Sequence, residues 1–181
     1  MSSLPVVIVL AAGRGERFAA SGGTVHKLQA LLAGKPVLDH VLAAVQASGL
    51  PHHVVRPDVL RPGMGDSIAA GVRATPGAAG WLILPADLPL IRSDTLRQIA
   101  LAPPSAVTVP LYQGQRGHPV RFSAGCRPEL LLLQGNQGAA LIVQAKSAIN
   151  LVAFIETGDP GTVTDIDTLD DLRRAEMLIN R

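Results

Sequence analysis

The residues in this 181-residue chain best suited to chemistry are basic side chains set among small residues, and carboxylates placed where strands should end. Gly13-Arg14-Gly15-Glu16-Arg17-Phe18 follows an apolar run, Val6 to Leu10, through Ala11 and Ala12, with Lys27 a little beyond. Small residues there let main-chain N–H groups approach a polyphosphate, and Arg14, Arg17 and Lys27 add charge that offsets it. Asp87 follows a second apolar run, Trp81 to Leu84, inside Pro85-Ala86-Asp87-Leu88-Pro89. The flanking prolines limit its backbone freedom. Mg²⁺ takes one or two carboxylates together with phosphate oxygens and water, so Asp87 needs a single partner. Thr164-Asp165-Ile166-Asp167-Thr168 offers one. In an extended stretch Asp165 and Asp167 project to the same side, so either could be that partner. The alternative is that Asp167 merely precedes the last helix and favours its positive end, with Asp165 a solvated charge.

Competing readings of the opening loop can be weighed from its residues. An ordinary strand-to-helix turn with solvated arginines has a similar appearance. Gly13-x-Gly15-x-x-Phe18 approaches a dinucleotide fingerprint, but Phe18 stands where close helix packing wants Gly or Ala. Asp58 lies too far downstream to serve as the acidic partner of that fingerprint. No G-x-x-x-x-G-K-[ST] occurs, which excludes a P-loop. Nor do the residues form a Ser-His-Asp arrangement.

Composition narrows the classes further. With 48% hydrophobic and 17% charged residues, the whole chain, 1–181, reads as a single domain large enough for a sheet covered on both faces. A net charge of +2 with 3% aromatics argues against a nucleic-acid partner. Cys126, the lone cysteine, excludes an internal disulfide and is expected to be a packed or idle thiol. Adjacent His52 and His53 form no obvious metal site. The first apolar run is too short to span a bilayer and has no basic segment before it, so a cytoplasmic protein without membrane association is expected.

These residues must be positioned by alternating elements. Val6–Leu10 reads as a buried strand. Pro36 can open a helix that Gly49 stops, with Val37, Leu38, Val41, Leu42 and Val45 on one face. Val54-Val55 is a short strand, and Gly63 to Asp66 leads into a helix over 67–74 with Asp66 as its cap. Strand 81–84 is followed by a short helix through Ala100, capped by Ser93 or Asp94. Strands over 106–112 and 118–122 flank a turn. Short helices near 128–133 and 138–145, a strand over 150–155, and a last helix opened by a capping box of Thr168 and Asp171 complete the chain. The alternation predicts a three-layer α/β/α sandwich with a mainly parallel, mixed sheet and an antiparallel excursion at the 112–122 hairpin.

In that order, LAAGRGERF, Lys27, GMGDSIAAG, LILPADLPLI, RGHPVRF and DIDTLDDL resemble the MobA-like nucleotidyltransferases, closest to the molybdenum cofactor cytidylyltransferase branch. The resemblance runs over nearly the whole chain. It implies a Rossmann-like nucleotidyltransferase fold and transfer of a nucleoside monophosphate, CMP from CTP, onto a phosphorylated acceptor, molybdopterin, with release of pyrophosphate. It implies that Leu10, Ala11, Ala12 and Gly13 hold the base and ribose edge, with Arg14 and Gly15 in the same loop. Arg17 and Lys27 correspond to the phosphate-binding pair, and Asp87 and Asp167 to the Mg²⁺ ligands. Gly63 and Ser67 correspond to the base pocket, while Gly117, His118 and Pro119 correspond to the acceptor-side motif. His118 could equally be a structural hairpin histidine.

The chain departs from that pattern at several points. Gly15 replaces a serine of the first loop. Gly135-Asn136-Gln137-Gly138-Ala139-Ala140 stands where the branch typically reads G-D-x-G-A-R, so Asn136 and Ala140 remove an acid and an arginine. His52 to Asp58 offers one strand where relatives have a strand, a helix and another strand. These changes bear on the acceptor more than on the nucleotide. Guanylyl or sugar-phosphate transfer, or a catalytically reduced nucleotide-binding partner in molybdoenzyme maturation, are the alternatives.

Overall fold

A computed structural model describes residues 4–180. In chain order the elements are β1 (Val6–Leu10), α1 (Glu16–Ala20), β2 (Leu31–Leu32), β3 (Lys35–Pro36), α2 (Val37–Ser48), β4 (His52–Val55), α3 (Met64–Ala74), β5 (Gly80–Pro85) and α4 (Ser93–Ala100). They continue with β6 (Val107–Tyr112), β7 (Gln115–Arg116), β8 (Val120–Ser123), α5 (Arg127–Leu131), α6 (Ala140–Ala148), β9 (Val152–Glu156) and α7 (Leu169–Ile179). The main sheet runs β4-β1-β5-β8-β6, with β9 and β7 both paired to β6. β4, β1 and β5 are mutually parallel, β9 is parallel to β6, and β8 is antiparallel to β5 and β6.

Period-two alternation divides β1 between two cores. Val7 and Val9 pack with α2 and α4, through Val41, Val45, Leu96 and Ile99, on one face. Val6 and Ile8 pack with α3 and α5, through Ile68, Val72 and Leu130, on the other. Burying each large aliphatic side chain stabilises the fold by about 1.5–3 kcal/mol, so the residues on either side of β1 far outweigh any loop contact. Gly71 lets α3 lie close to the sheet, because a Cβ there would come 2.6 Å from Ile8 Cγ2. Cys126 is buried, as expected of a packed thiol.

Several boundaries differ from the sequence expectation, for reasons that lie far away in the chain. α3 begins at Met64 with Gly63 as its cap, not Asp66. The Asp66 carboxylate instead accepts the Gly135 N–H at 3.0 Å. Neither Ser93 nor Asp94 caps α4. Buried Asp159 does this work, accepting from the Arg92 N–H at 3.0 Å and the Thr95 hydroxyl at 2.7 Å. The Thr168–Asp171 capping box is present in both directions. The region before Pro62 supplies one strand, β4, at the sheet edge.

Candidate active site

The C-terminal ends of β1 and β5 share a rim. Ala86 N–H donates to the Leu10 carbonyl at 3.1 Å, and Ala11 N–H to the Val55 carbonyl at 2.9 Å. The chain then leaves the sheet as the 12–15 loop, and Gly15, in the left-handed region at φ 68°, starts α1. Buried Phe18 anchors this turn in the core, packed so closely that a Cβ at Gly23 would come 2.3 Å from its ring. A large residue is useful here because the loop is pinned to the core. The amides of Ala12, Gly13, Arg14 and Gly15 donate to no other described residue, leaving donors for a ligand.

Asp87 sits just past β5. Its carbonyl accepts the Ile166 N–H at 2.9 Å, which lays the 164–167 segment along the rim. Ile166 is buried, so Asp165 and Asp167 on either side project the other way. The alternation that paired them in the sequence therefore holds, and Asp165 joins the site. Ligand atoms of Asp87, Asp165 and Asp167 all lie within 4.8 Å of one another. Such a set of hard oxygen donors fits Mg²⁺ or Mn²⁺.

Lys27, from a 3₁₀ turn over Lys27–Gln29, reaches into the same place. Its Nζ donates to Asp87 Oδ2 at 2.6 Å and to Asp167 Oδ1 at 3.0 Å, while the exposed Arg17 guanidinium lies 2.9 Å from Asp167 Oδ2. Burial pushes the Lys27 ammonium toward neutrality, but the charge of Asp87 and the hydrogen bonds it donates to both carboxylates reverse this and raise its pKa. Burial also disfavours ionised Asp167, and the bond and charge of Lys27, with Asp165 and Arg17, bring its pKa below the ordinary value. Asp165 is shifted up, by burial and then by its bond to Asp167 and that neighbour's charge.

These groups border a cleft of about 860 Å³, a volume suited to a small-molecule ligand. Leu10, Ala12, Gly13, Arg14 and Gly15 line it, whereas Ala11 is buried behind the wall. Ser67 also lines it, donating from Oγ to the Gly63 carbonyl at 3.1 Å. Gly63 itself backs onto the 134–137 loop, where a Cβ would come 2.0 Å from the Gly135 carbonyl oxygen. Gly65 N–H bonds that same carbonyl at 2.8 Å, so the loop carrying Asn136 is fixed to the start of α3 and Asn136 faces the cleft.

The opposite wall is formed by Gln115 to His118. His118 N–H donates to the Thr162 carbonyl at 2.9 Å, and Gly117 lies so close that a Cβ would come 2.5 Å from that oxygen. The His118–Pro119 peptide is cis. His118 Nδ1 is buried without a hydrogen-bond partner among the described residues. Burial lowers this histidine's pKa, against the pull of the Asp87 charge and a backbone contact with Ile83. Arg116, which did not stand out in the sequence, also lines the cleft and lies 5.0 Å over the Phe154 ring.

This is the fold and rim of a nucleotidyltransferase, and residues 7–149 match the MobA-like NTP transferase domain, the family to which the chain belongs. The chain is 30% identical over 197 residues to the purine catabolism protein PucB of Bacillus subtilis, covering 93% of this chain and 95% of PucB. Among solved structures it is similar to Rv0371c of Mycobacterium tuberculosis, with TM-score 0.78, 26% identity and coverage of 98% and 99% of the two chains. A manganese complex of Rv0371c superposes with TM-score 0.76 at 24% identity, covering 98% and 100%. A nucleotidyl transferase from Methanothermobacter thermautotroptrophicus gives TM-score 0.80 at 24% identity, covering 99% of each chain. Among the described residues no helix is long and apolar enough to cross a membrane.

Proposed function

We propose that residues 1–181 act as one Mg²⁺-dependent cytidylyltransferase domain, moving CMP from CTP to a phosphorylated acceptor, molybdopterin, with release of pyrophosphate. The observation that carries this reading is the Lys27 ammonium bonded to both Asp87 and Asp167, with Arg17 on the outer oxygen of Asp167. It sets phosphate-binding cations directly beside carboxylates able to hold a divalent ion. The choice of CTP and molybdopterin rests on the sequence resemblance, and a divalent ion is supported by the manganese complex of Rv0371c.

The chain's own residues have distinct tasks. The 12–15 amides and Arg14 grip the triphosphate, and Arg17 with Lys27 offsets the charge that gathers on the departing pyrophosphate. Asp87 and Asp167, with Asp165 beside them, hold the cation. A divalent cation held there would supply charge neutralisation to the transferring phosphoryl group. Ser67 bounds the base and Gly63 gives the 134–137 loop room beside it, while Gly117 and His118 face the acceptor. An oxygen of the acceptor phosphate forms the new bond to the α-phosphorus as its bond to the β-phosphate oxygen breaks. A phosphate monoester is largely ionised near neutrality, its second pKa being about 6, so no protein base is required. Catalysis is then positioning and charge neutralisation.

Pyrophosphate release measured across the four NTPs, with and without molybdopterin, tests the proposal. Release with CTP only when molybdopterin is present is expected. Release with GTP alone would reassign the donor, and nucleotide binding without release would favour a non-catalytic maturation partner.

A further inference from the structure

We infer that His26 is a positioning residue that sets the orientation of the phosphate-gripping loop, an inference that rests on nucleotide binding at this loop. His26 is exposed and does not line the cleft, yet its ring bridges two parts of the site. Nδ1 accepts the Leu28 N–H at 3.3 Å. A ring nitrogen that accepts carries no proton, so the neutral ring has its proton on Nε2. Nε2 lies 2.7 Å from the Gly13 carbonyl oxygen and donates to it across thirteen residues of sequence.

The consequence follows from peptide planarity. Carbonyl and N–H of a trans peptide point in opposite directions. Holding the Gly13 oxygen on His26, outside the cleft, therefore turns the Arg14 N–H the other way. It also removes from the cleft an oxygen that would repel phosphate. Nothing else constrains this peptide strongly: a Cβ at Gly13 would meet no atom within 4 Å, and no other described residue bonds the 12–14 backbone. Gly15, in the left-handed region, brings the turn against the ring, its Cβ position lying 3.5 Å from Nε2. The other arm starts the 3₁₀ turn that aims Lys27 at the carboxylates. One imidazole thus registers the loop against the catalytic lysine.

Because Asn places its amide where Nδ1 stands and Gln places its amide where Nε2 stands, the two arms can be separated. In the nucleotide-free protein, His26→Ala should lower the ¹⁵N backbone order parameters of Gly13 and Arg14 from the rigid value of about 0.85 to below about 0.6, with β1 unchanged. CTP binding by calorimetry should weaken about tenfold, the worth of one hydrogen bond. His26→Gln should restore loop order and CTP affinity, and His26→Asn should restore neither. Rescue by Asn but not Gln, or unchanged order parameters of the loop in His26→Ala, would overturn the inference. A wild-type protein that binds no CTP would instead refute the proposed donor, and the relaxation measurement would still decide the role of His26.

Discussion

The two walls of the cleft are built on different physics. On the donor side, side chains from sequence-distant segments are bound by charge: Arg17 and Lys27 on Asp167, and Lys27 again on Asp87. On the wall proposed for the acceptor the contacts are mainly backbone to backbone, the bond from the Gly135 N–H to the Asp66 carboxylate being the exception. Gly117 and His118 lie against Thr162, and the 134–137 loop lies against the start of α3. Charge can be retained only where its partners are retained, so the donor wall tolerates little change. A wall held by main-chain contacts leaves its side chains free to vary, and this is where Asn136 and Ala140 depart from the related pattern. Under the proposed function, the chemistry is then fixed on one side while the choice of acceptor is free to vary on the other.

The severest way to break the donor wall is Asp87→Ala. It removes a proposed cation ligand and one partner of Lys27, and turnover should fall by about 10³-fold or more. The circular dichroism spectrum should be unchanged, since Asp87 lies on the rim and its main-chain bond to Ile166 survives. Near-wild-type pyrophosphate release by this variant would sink the donor-side assignment.

Lys27→Met probes the same network through stability. Lys27, Asp87 and Asp167 are mostly buried at 12%, 18% and 17% side-chain exposure, so losing the ammonium leaves carboxylates facing one another. In metal-free buffer the variant should lose about 2 kcal/mol, less than a fully enclosed pair because the cleft admits water. Linkage gives the pH dependence. Asp167 has a depressed pKa, so its contribution is present above the unfolded carboxylate value and is lost as pH falls through the depressed one. Lys27 has a raised pKa, so its share persists below the unfolded lysine value and is lost as pH rises through the raised one. Denaturant titrations should therefore show the gap between wild type and variant widest near neutrality and closing at both extremes. Mn²⁺ should stabilise the variant more than the wild type, because the ion then has no ammonium to displace.

The donor wall was also the more legible of the two in the sequence. Val6–Leu10 and Trp81–Leu84 are apolar runs whose ends lie on one rim in any parallel sheet, and Thr168 with Asp171 is a local capping signal. The pairing of Asp165 with Asp167 needed only an extended backbone. What escaped is what depends on distant partners. Asp159 caps a helix that starts 66 residues earlier, and Asp66 serves the 134–137 loop instead of its own helix. His26 gave no sign because its value lies in a carbonyl thirteen residues away, and a lone histidine before a lysine carries no pattern. The small β2–β3 hairpin was missed because strands of two residues show no periodicity.

On the acceptor wall, Gly117→Ala should act through shape. The added methyl would lie 2.5 Å from the Thr162 oxygen and force the Gly117–Pro119 segment off its support. Overpacking of this kind costs about 1–3 kcal/mol, read as a fall in melting temperature. The acceptor KM should rise while CTP affinity stays within about twofold, because Gly117 is held by the Pro110 carbonyl and not by Lys27, Arg17 or the 12–15 loop. An equal loss of CTP affinity would mean that the two walls are not separable.

The gentlest test restores the residues the chain lacks. Asn136→Asp combined with Ala140→Arg adds a carboxylate at the cleft wall and a cation at the first turn of α6, both exposed. Exposed charges are screened, and a single pair is worth about 0–1 kcal/mol, so changes of no more than about fivefold are expected. Their direction carries the information. If the acceptor is molybdopterin, as the related pattern implies, its KM should fall while the CTP KM stays put. If this chain has specialised for another acceptor, the same substitutions should leave molybdopterin use unchanged or weaken it, since Asn136 would then be a neutral hydrogen-bonding group suited to a different ligand. Steady-state KM values for both substrates, taken on the double variant and on each single variant, separate these outcomes.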